Sequence, residues 1–149
     1  MGGAGTMTAP SPIVGYVLEA PPDLSEKNVR HRLSPDAIRA FTKLIAKWNV
    51  KEKEARLLLG GVSTGTFYEL KAHPKNKLLD QDQLTRISLL LGIFKALRIL
   101  YSDELADAWV KLPNKNPMFG GADPVSHMIR FGVPGMERVR QLLDARRGG

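Results

Sequence analysis

The last third of the chain, from Trp109 to Gly149, is divided by proline and glycine into segments too short to fold alone. The interruptions that predict breaks or turns are Pro113-Asn114, Pro117, Gly120-Gly121 and the run from Gly132 to Gly135. Between them, Asp123 and Pro124 predict a helix start, because an acid caps free N–H groups and proline suits the first helical position. This part of the chain must therefore consist of short helices that pack against other elements.

Elsewhere, apolar residues recur three or four positions apart, which is the spacing of one helix face. The densest set follows a helix-start signal at Asp80 and comprises Leu84, Ile87, Leu90, Leu91, Phe94, Leu97, Leu100 and Tyr101. This helix is either the centre of the fold or, in part, a dimer seam; Leu89, Ile93 and Ile99 lie off the main stripe and favour the seam. Because β-branched residues are sparse after Asn114, we predict an all-α fold.

The composition allows one domain with a real core, since 43% of the 149 residues are apolar. Cysteine is absent, which excludes disulfides, thiolate metal sites and a cysteine nucleophile. The three histidines are too far apart in sequence for a zinc motif, so we expect no metal. With no long apolar run and no export signal near the N-terminus, we expect a cytoplasmic protein with no membrane segment.

The charge is strongly positive, with 22 Lys and Arg against 15 Asp and Glu, a net charge of +7 and a pI near 9.9. Such a balance indicates a polyanion or an acidic protein as partner. Two acid pairs, Asp80 with Asp82 and Glu104 with Asp107, are better explained as helix-start charges than as catalytic groups. The glycine pairs lack the lysine and the strand of a phosphate loop, so we expect neither catalysis nor a cofactor.

Residues 1–32 carry four prolines and one apolar run, Ile13 to Leu18, which we call the hook. We predict a flexible N-terminal arm whose hook docks on the body of the protein or on a partner subunit; plain disorder is the alternative. Ser34, Pro35 and Asp36 then predict the start of the first body helix, with the serine hydroxyl as its cap.

Two short helices with a tight turn between them follow the first body helix. The first runs from Lys51 to Leu59 and should end at Gly60-Gly61, because glycine accepts the left-handed conformation. Ser63 caps the second, in which Phe67 and Leu70 form the buried side. The arrangement resembles the helix-turn-helix of Xre-type regulators, whose second helix lies in the major groove of DNA. A purely structural helical hairpin is the alternative.

The resemblance implies residues that read bases at the start of the second helix, with lysines placed for phosphates. The candidate DNA-binding residues are Ser63, Thr64, Thr66, Tyr68, Lys71, Lys75 and Lys77. We assign residues 33–101 to this helix-turn-helix core and its dimerisation helices, and residues 102–149 to a small C-terminal helical domain.

The C-terminal domain should open with a helix that is capped by Ser102 and buries Leu105, Ala108 and Trp109. In the last helix, the predicted core residues are Met136, Val139, Leu142 and Leu143. The other side of that helix carries what we interpret as a basic edge suited to an acidic cleft, formed by Arg138, Arg140, Arg146 and Arg147.

The order and spacing of residues in the last third resemble the toxin-binding domain of Xre/MbcA/ParS-type antitoxins. The matching positions are Trp109, Pro113-Asn114, Phe119-Gly120-Gly121, Pro124, Met128, Gly132, Val139, Leu143 and Gly148. The resemblance implies a type II antitoxin that neutralises a RES-domain toxin, an enzyme that consumes NAD, by covering its active site. It also implies a homodimer formed through the helical body and binding to promoter DNA for autoregulation.

The toxin-facing surface follows partly from the family pattern and partly from charge. Its candidate residues are Gly120, Gly121 and Pro124, from the family pattern, and Arg138, Arg146 and Arg147, from the charge of the last helix. The competing hypothesis is a stand-alone helix-turn-helix transcription regulator whose C-terminal domain serves only for oligomerisation. The two hypotheses differ in whether the chain binds and neutralises a toxin.

Overall fold

The computed structural model describes residues 21–148; the hook lies outside this range. Within it there are seven α-helices, two short 3₁₀ turns and no strand, which confirms the predicted all-α fold. The helices are α1 (Lys27–Lys47), α2 (Glu52–Leu58), α3 (Thr64–Ala72), α4 (Gln81–Leu100), α5 (Asp103–Trp109), α6 (Pro124–Phe131) and α7 (Val133–Gly148), and the 3₁₀ turns are Pro74–Asn76 and Pro117–Phe119.

Helix α4 is the centre of the fold, because α1, α5 and α7 all pack on it. Its buried side chains are Leu84, Ile87, Leu90, Ile93, Ala96 and Leu97. The interpretation of Ile93 as part of a dimer seam is therefore wrong: the side chain is fully buried within its own chain. Because α4 is covered from several sides, it buries residues on more than one face. A prediction that assumes one apolar face therefore left Ile93 outside the core. Ile99, by contrast, is 63% exposed.

The predicted start of α1 at Ser34 is also wrong, since the helix begins at Lys27 and contains Pro35 in its interior. Residues 27–32, which we had placed in the N-terminal arm, form the first turns of α1. Ser34 is fully buried; its Oγ donates to the Arg30 carbonyl at 2.6 Å and accepts from the Leu79 N–H at 2.9 Å. The hydroxyl thus ties α1 to the segment before α4 instead of capping a helix.

Helix α5 turns a different face to the core from the one predicted. Leu105 and Ala108 are exposed, whereas Ala106 and Val110 are buried together with Trp109. The register of α5 is held by Arg98 of α4, which pairs with Asp107 at 2.7 Å and with Asp103 at 3.2 Å. Apolar residues lie on both sides of this short helix, so spacing alone could not select the buried side.

The reversal between α6 and α7 is shorter than the predicted turn from Gly132 to Gly135. Gly132 alone has a positive φ, 65°, while Pro134 and Gly135 lie in the first turn of α7. Gly135 is needed for another reason: a Cβ there would lie 2.9 Å from the Phe131 Cβ and 3.2 Å from the His127 carbonyl oxygen. The missing side chain lets α7 start in close contact with α6.

Replacing Ser34 by Ala tests the buried hydroxyl. The change leaves the Leu79 N–H buried without its acceptor, so we expect the free energy of unfolding to fall by about 1–3 kcal/mol. The measurement is urea unfolding followed by circular dichroism. Ser88→Ala, at an exposed serine of α4, is the control and should change stability by less than about 0.5 kcal/mol. Equal effects of the two variants would remove Ser34 from this role.

Candidate functional site

The arginines of α7 do not form a single edge. Arg147 follows Arg138 by two and a half helical turns, which places the two on opposite sides of the helix. Arg140 and Arg147 share Asp144, at 3.0 Å and 3.6 Å, while Arg146 donates to the Tyr101 hydroxyl at 3.0 Å. The predicted basic edge is therefore divided between two sides of α7 and its last turn.

Arg138 belongs to a surface that sequence reasoning missed. Its guanidinium and that of Arg130 each lie 5.1 Å from the centre of the Phe131 ring, and Phe131 is 45% exposed. We call these three residues the Phe131 patch. Aromatic and arginine side chains supply most of the binding energy at protein interfaces. The only signal in the sequence was an Arg-Phe pair directly before a predicted turn.

The Phe131 patch has a rigid support beneath it. Trp109 lies 6.3 Å from Phe119, Phe119 lies 5.1 Å from His127, and His127 lies 4.8 Å from Phe131, measured between ring centres. Trp109, Phe119 and His127 are buried, so a row of rings leads from the core to the exposed Phe131.

His127 is 4% exposed, and its Nε2 has no hydrogen-bond partner among residues 21–148. Burial lowers the pKa of His127 below its usual value, and the positive charges of Arg138 and Arg130 lower this pKa further. The imidazole is therefore neutral at neutral pH. A neutral ring fits the aromatic row, whereas a protonated ring would be a buried charge between two arginines.

The predicted toxin-facing residues near Gly120 differ in exposure. Gly120 and Gly121 are exposed, with φ values of 57° and 88°, so the corner needs glycine for its backbone conformation. Pro124 is buried as the first residue of α6, and Asp123 caps that helix by accepting from the Ser126 N–H at 3.0 Å. Pro124 therefore fixes the start of α6, and its place on the toxin-facing surface stays a prediction.

The helix, turn and helix predicted for the DNA-binding unit are present as α2 and α3. Gly60 and Gly61 have φ values of 101° and 90°, and Ser63 caps α3 by accepting from the Thr66 N–H at 3.1 Å. Ser63, Thr64 and Thr66 are exposed at the start of α3. Hydroxyls are thus available at the end of the helix that enters a DNA groove in such motifs.

The remaining candidate DNA-binding residues differ in whether they already pair with another side chain. Tyr68, 52% exposed, donates to Glu52 at 2.6 Å, and this hydrogen bond raises the pKa of Tyr68. Lys77 pairs with Glu69 at 3.1 Å. Neither Lys71 nor Lys75 has an ion-pair partner within residues 21–148; Lys71 lies over the Phe67 and Tyr68 rings. Lys71 and Lys75 are therefore the cations most available for phosphates.

The Phe131 patch and the exposed start of α3 are supported by the same hydrophobic core and by the same side chain, Arg86. Buried residues from α1 through α7 form one hydrophobic cluster, so no packing boundary falls between residues 101 and 102. Arg86 of α4 pairs with Asp82 at 2.7 Å and donates to the Leu58 carbonyl at 3.3 Å, at the end of α2. The same guanidinium lies next to Gly132, between α6 and α7. α2 also packs against α6.

Residues 21–148 form neither a metal-ligand cluster nor a membrane-spanning helix. No cluster of three or more acids and histidines there could hold a metal ion. No helix in that range has the length and hydropathy needed to cross a bilayer.

The part of the chain that matches a known protein family begins within α4. Residues 96–149, from the last turn of α4 onward, match the family described as the antitoxin Xre/MbcA/ParS C-terminal toxin-binding domain. The chain is also 37% identical over 116 residues to "Uncharacterized protein y4oB" of Sinorhizobium fredii (strain NBRC 101917 / NGR234). That alignment covers 77% of this chain and 87% of the relative. No solved structure matches the chain.

Lowering the pH tests the buried neutral state of His127. Its pKa is below the unfolded value of about 6.5, so the unfolded chain binds a proton more readily in this range. We therefore expect stability to fall as the pH drops below about 6.5. Urea unfolding at several pH values measures this slope. His127→Leu should flatten it, and His31→Gln, at an exposed histidine, should not. The same slope in both variants would contradict the assignment.

Proposed function

We propose that this chain, which belongs to the family of Xre/MbcA/ParS-type antitoxins, neutralises a RES-domain toxin that consumes NAD. The observation that carries the proposal is the match of residues 96–149, the end of α4 to the end of α7, to a toxin-binding domain. The partner is therefore a toxin, and the RES type is what the resemblance in the sequence implies. Neutralisation would occur by covering the active site of the toxin.

The Phe131 patch and the Gly120-Gly121 corner are the proposed parts of the toxin-facing surface. An inhibitor needs an anchor that is exposed before binding and loses little freedom on binding. Phe131 meets both conditions, since it is 45% exposed and in contact with the buried His127 ring. Arg146 and Arg147 are a second, separate part of the proposed surface and place positive charge at the last turn of α7.

Two sets of variants test this surface: Phe131→Ala alone, and Arg146→Glu with Arg147→Glu. If Phe131 is an anchor, its loss should cost about 2 kcal/mol or more of binding, a weakening of roughly 30-fold. The charge reversal should weaken binding to an acidic cleft, with a smaller effect at high salt. The protein tested as the toxin is the product of the neighbouring reading frame; titration calorimetry measures the affinity, and growth rescue in co-expression measures neutralisation.

Lys43→Glu is the matched control, because Lys43 is an exposed cation of α1, which packs against α3 and α4. It should leave affinity and rescue unchanged. Wild-type affinity in both the Phe131 variant and the Arg146-Arg147 variant would exclude the proposed surface. If the unaltered chain neither binds the neighbouring protein nor rescues growth, the antitoxin proposal fails, and the stand-alone transcription regulator takes its place.

We further propose that the chain binds its own promoter as a homodimer, through α3. The exposed hydroxyls of Ser63, Thr64 and Thr66 and the unpaired Lys71 and Lys75 support this proposal. The net charge of +7 also favours a polyanion. Ile99 of α4, which is 63% exposed and lies within residues 33–101, supplies an apolar contact for a second copy.

The salt dependence of DNA binding tests the lysines. Each phosphate contact that is lost should lower the slope of log affinity against log salt by about one. We expect Lys71→Ala with Lys75→Ala to lower the slope by about two. Lys77→Ala should have a smaller effect, because Glu69 already neutralises Lys77. Fluorescence anisotropy with the promoter fragment at several salt concentrations gives the slope. An equal change in slope for the Lys71-Lys75 variant and for Lys77→Ala would contradict this ranking.

A further inference from the structure

An apolar groove of about 340 Å³ lies between α1 and α4, on the side of the molecule where the described chain begins. Its apolar walls include Leu24, Leu33, Ala37, Ala40, Leu84 and Leu91. Asp36 and Ser88 are the polar residues that border it. The groove belongs neither to the Phe131 patch nor to α3, so the proposed function does not explain it.

Small residues of α1 create this groove. Ala37 and Ala40 lie about one and two turns after Leu33 in α1, and their short side chains leave part of the Leu91 surface uncovered. Leu33, Ala37 and Leu91 are only partly buried. Apolar area left in water costs about 25 cal/mol for each Å², so covering this groove stabilises the chain.

The residues that precede Pro22 in the sequence include an apolar segment, and the groove is apolar too. Pro22 forms part of the groove wall, and the hook, residues 13–18, ends four positions earlier. Five of the six hook residues are apolar and none is charged. Four residues span at most about 14 Å, which brings the hook within reach of the groove. We propose that residues 13–18 dock in this groove of their own chain.

The short connection favours the hook over a separate partner. A segment tethered by a few residues has an effective concentration in the millimolar range, so weak apolar contacts suffice for docking. A free protein would have to displace that segment before it could bind. The groove also borders on one carboxylate only, that of Asp36, which leaves little charge to select another partner.

The absence of cysteine allows a direct test by disulfide formation in the full chain. Gly15→Cys lies in the middle of the hook and removes none of its apolar side chains, and Ser88→Cys borders the groove. We expect this pair to form an intramolecular disulfide at least 10-fold faster than the same pair carrying Ile13→Ser and Val17→Ser. The control has the same reach and lacks only apolar contacts. Mass spectrometry and non-reducing gels follow the reaction.

Equal rates in the two proteins would overturn the proposal, because reach alone would then explain the disulfide. Disulfide-linked dimers at micromolar concentration would also overturn it and would identify a second copy as the occupant. A stability measurement completes the test. Val14→Asp with Val17→Asp should lower the midpoint of thermal unfolding by about 4 °C or more, while Thr6→Asp with Thr8→Asp should not. Equal shifts in these two variants would contradict docking.

Discussion

The burial of α7 along α4 is the contact on which the rest of the structure depends. Met136, Val139 and Leu143 of α7 are fully buried, and Gly92 of α4 leaves room for a side chain of α7. A Cβ at Gly92 would collide with the guanidinium of Arg140, which lies across α4 at this point. Because α6 packs against the start of α7 through Gly135, the position of α6 follows from the same contact. The toxin-binding part of the chain is thus built on α4 and has no core of its own.

This dependence gives the two candidate surfaces a common foundation. Arg86 extends from α4 to the end of α2 and to the turn at Gly132. It therefore contacts α2, which precedes α3, and the turn that follows Phe131. Lys111, which follows α5, bonds to the Asn49 carbonyl at 3.2 Å and to Glu54 of α2 at 3.3 Å. Both links use charged groups to satisfy carbonyls or carboxylates at helix ends, where backbone groups have no partner within the helix. The contacts that hold α6 therefore also hold α2, the helix before α3.

Sequence patterns predicted the local features of this fold. They failed where a contact with a residue far away in the sequence determines the structure. The caps at Ser63, Asp80 and Asp123 were predictable because each side chain bonds to an N–H three residues later. Ser34 offered the same local pattern, but its hydroxyl accepts from Leu79, 45 residues away, and no local rule contains that contact. The face of α5 was missed for a related reason: Arg98 of α4 selects the buried side.

The candidate site shows the same division between local and tertiary causes. The Gly120-Gly121 corner could be read from the chain, since two positive φ values require glycine irrespective of what surrounds them. The Phe131 patch could not, because an aromatic residue at the end of an amphipathic helix would ordinarily be assigned to the core. Phe131 remains exposed because His127 and Phe119 already fill the space beneath it and because two guanidinium groups flank its ring. An aromatic ring kept at the surface by a filled core below it retains its apolar area for a partner, and we propose that this area is what α6 contributes to binding.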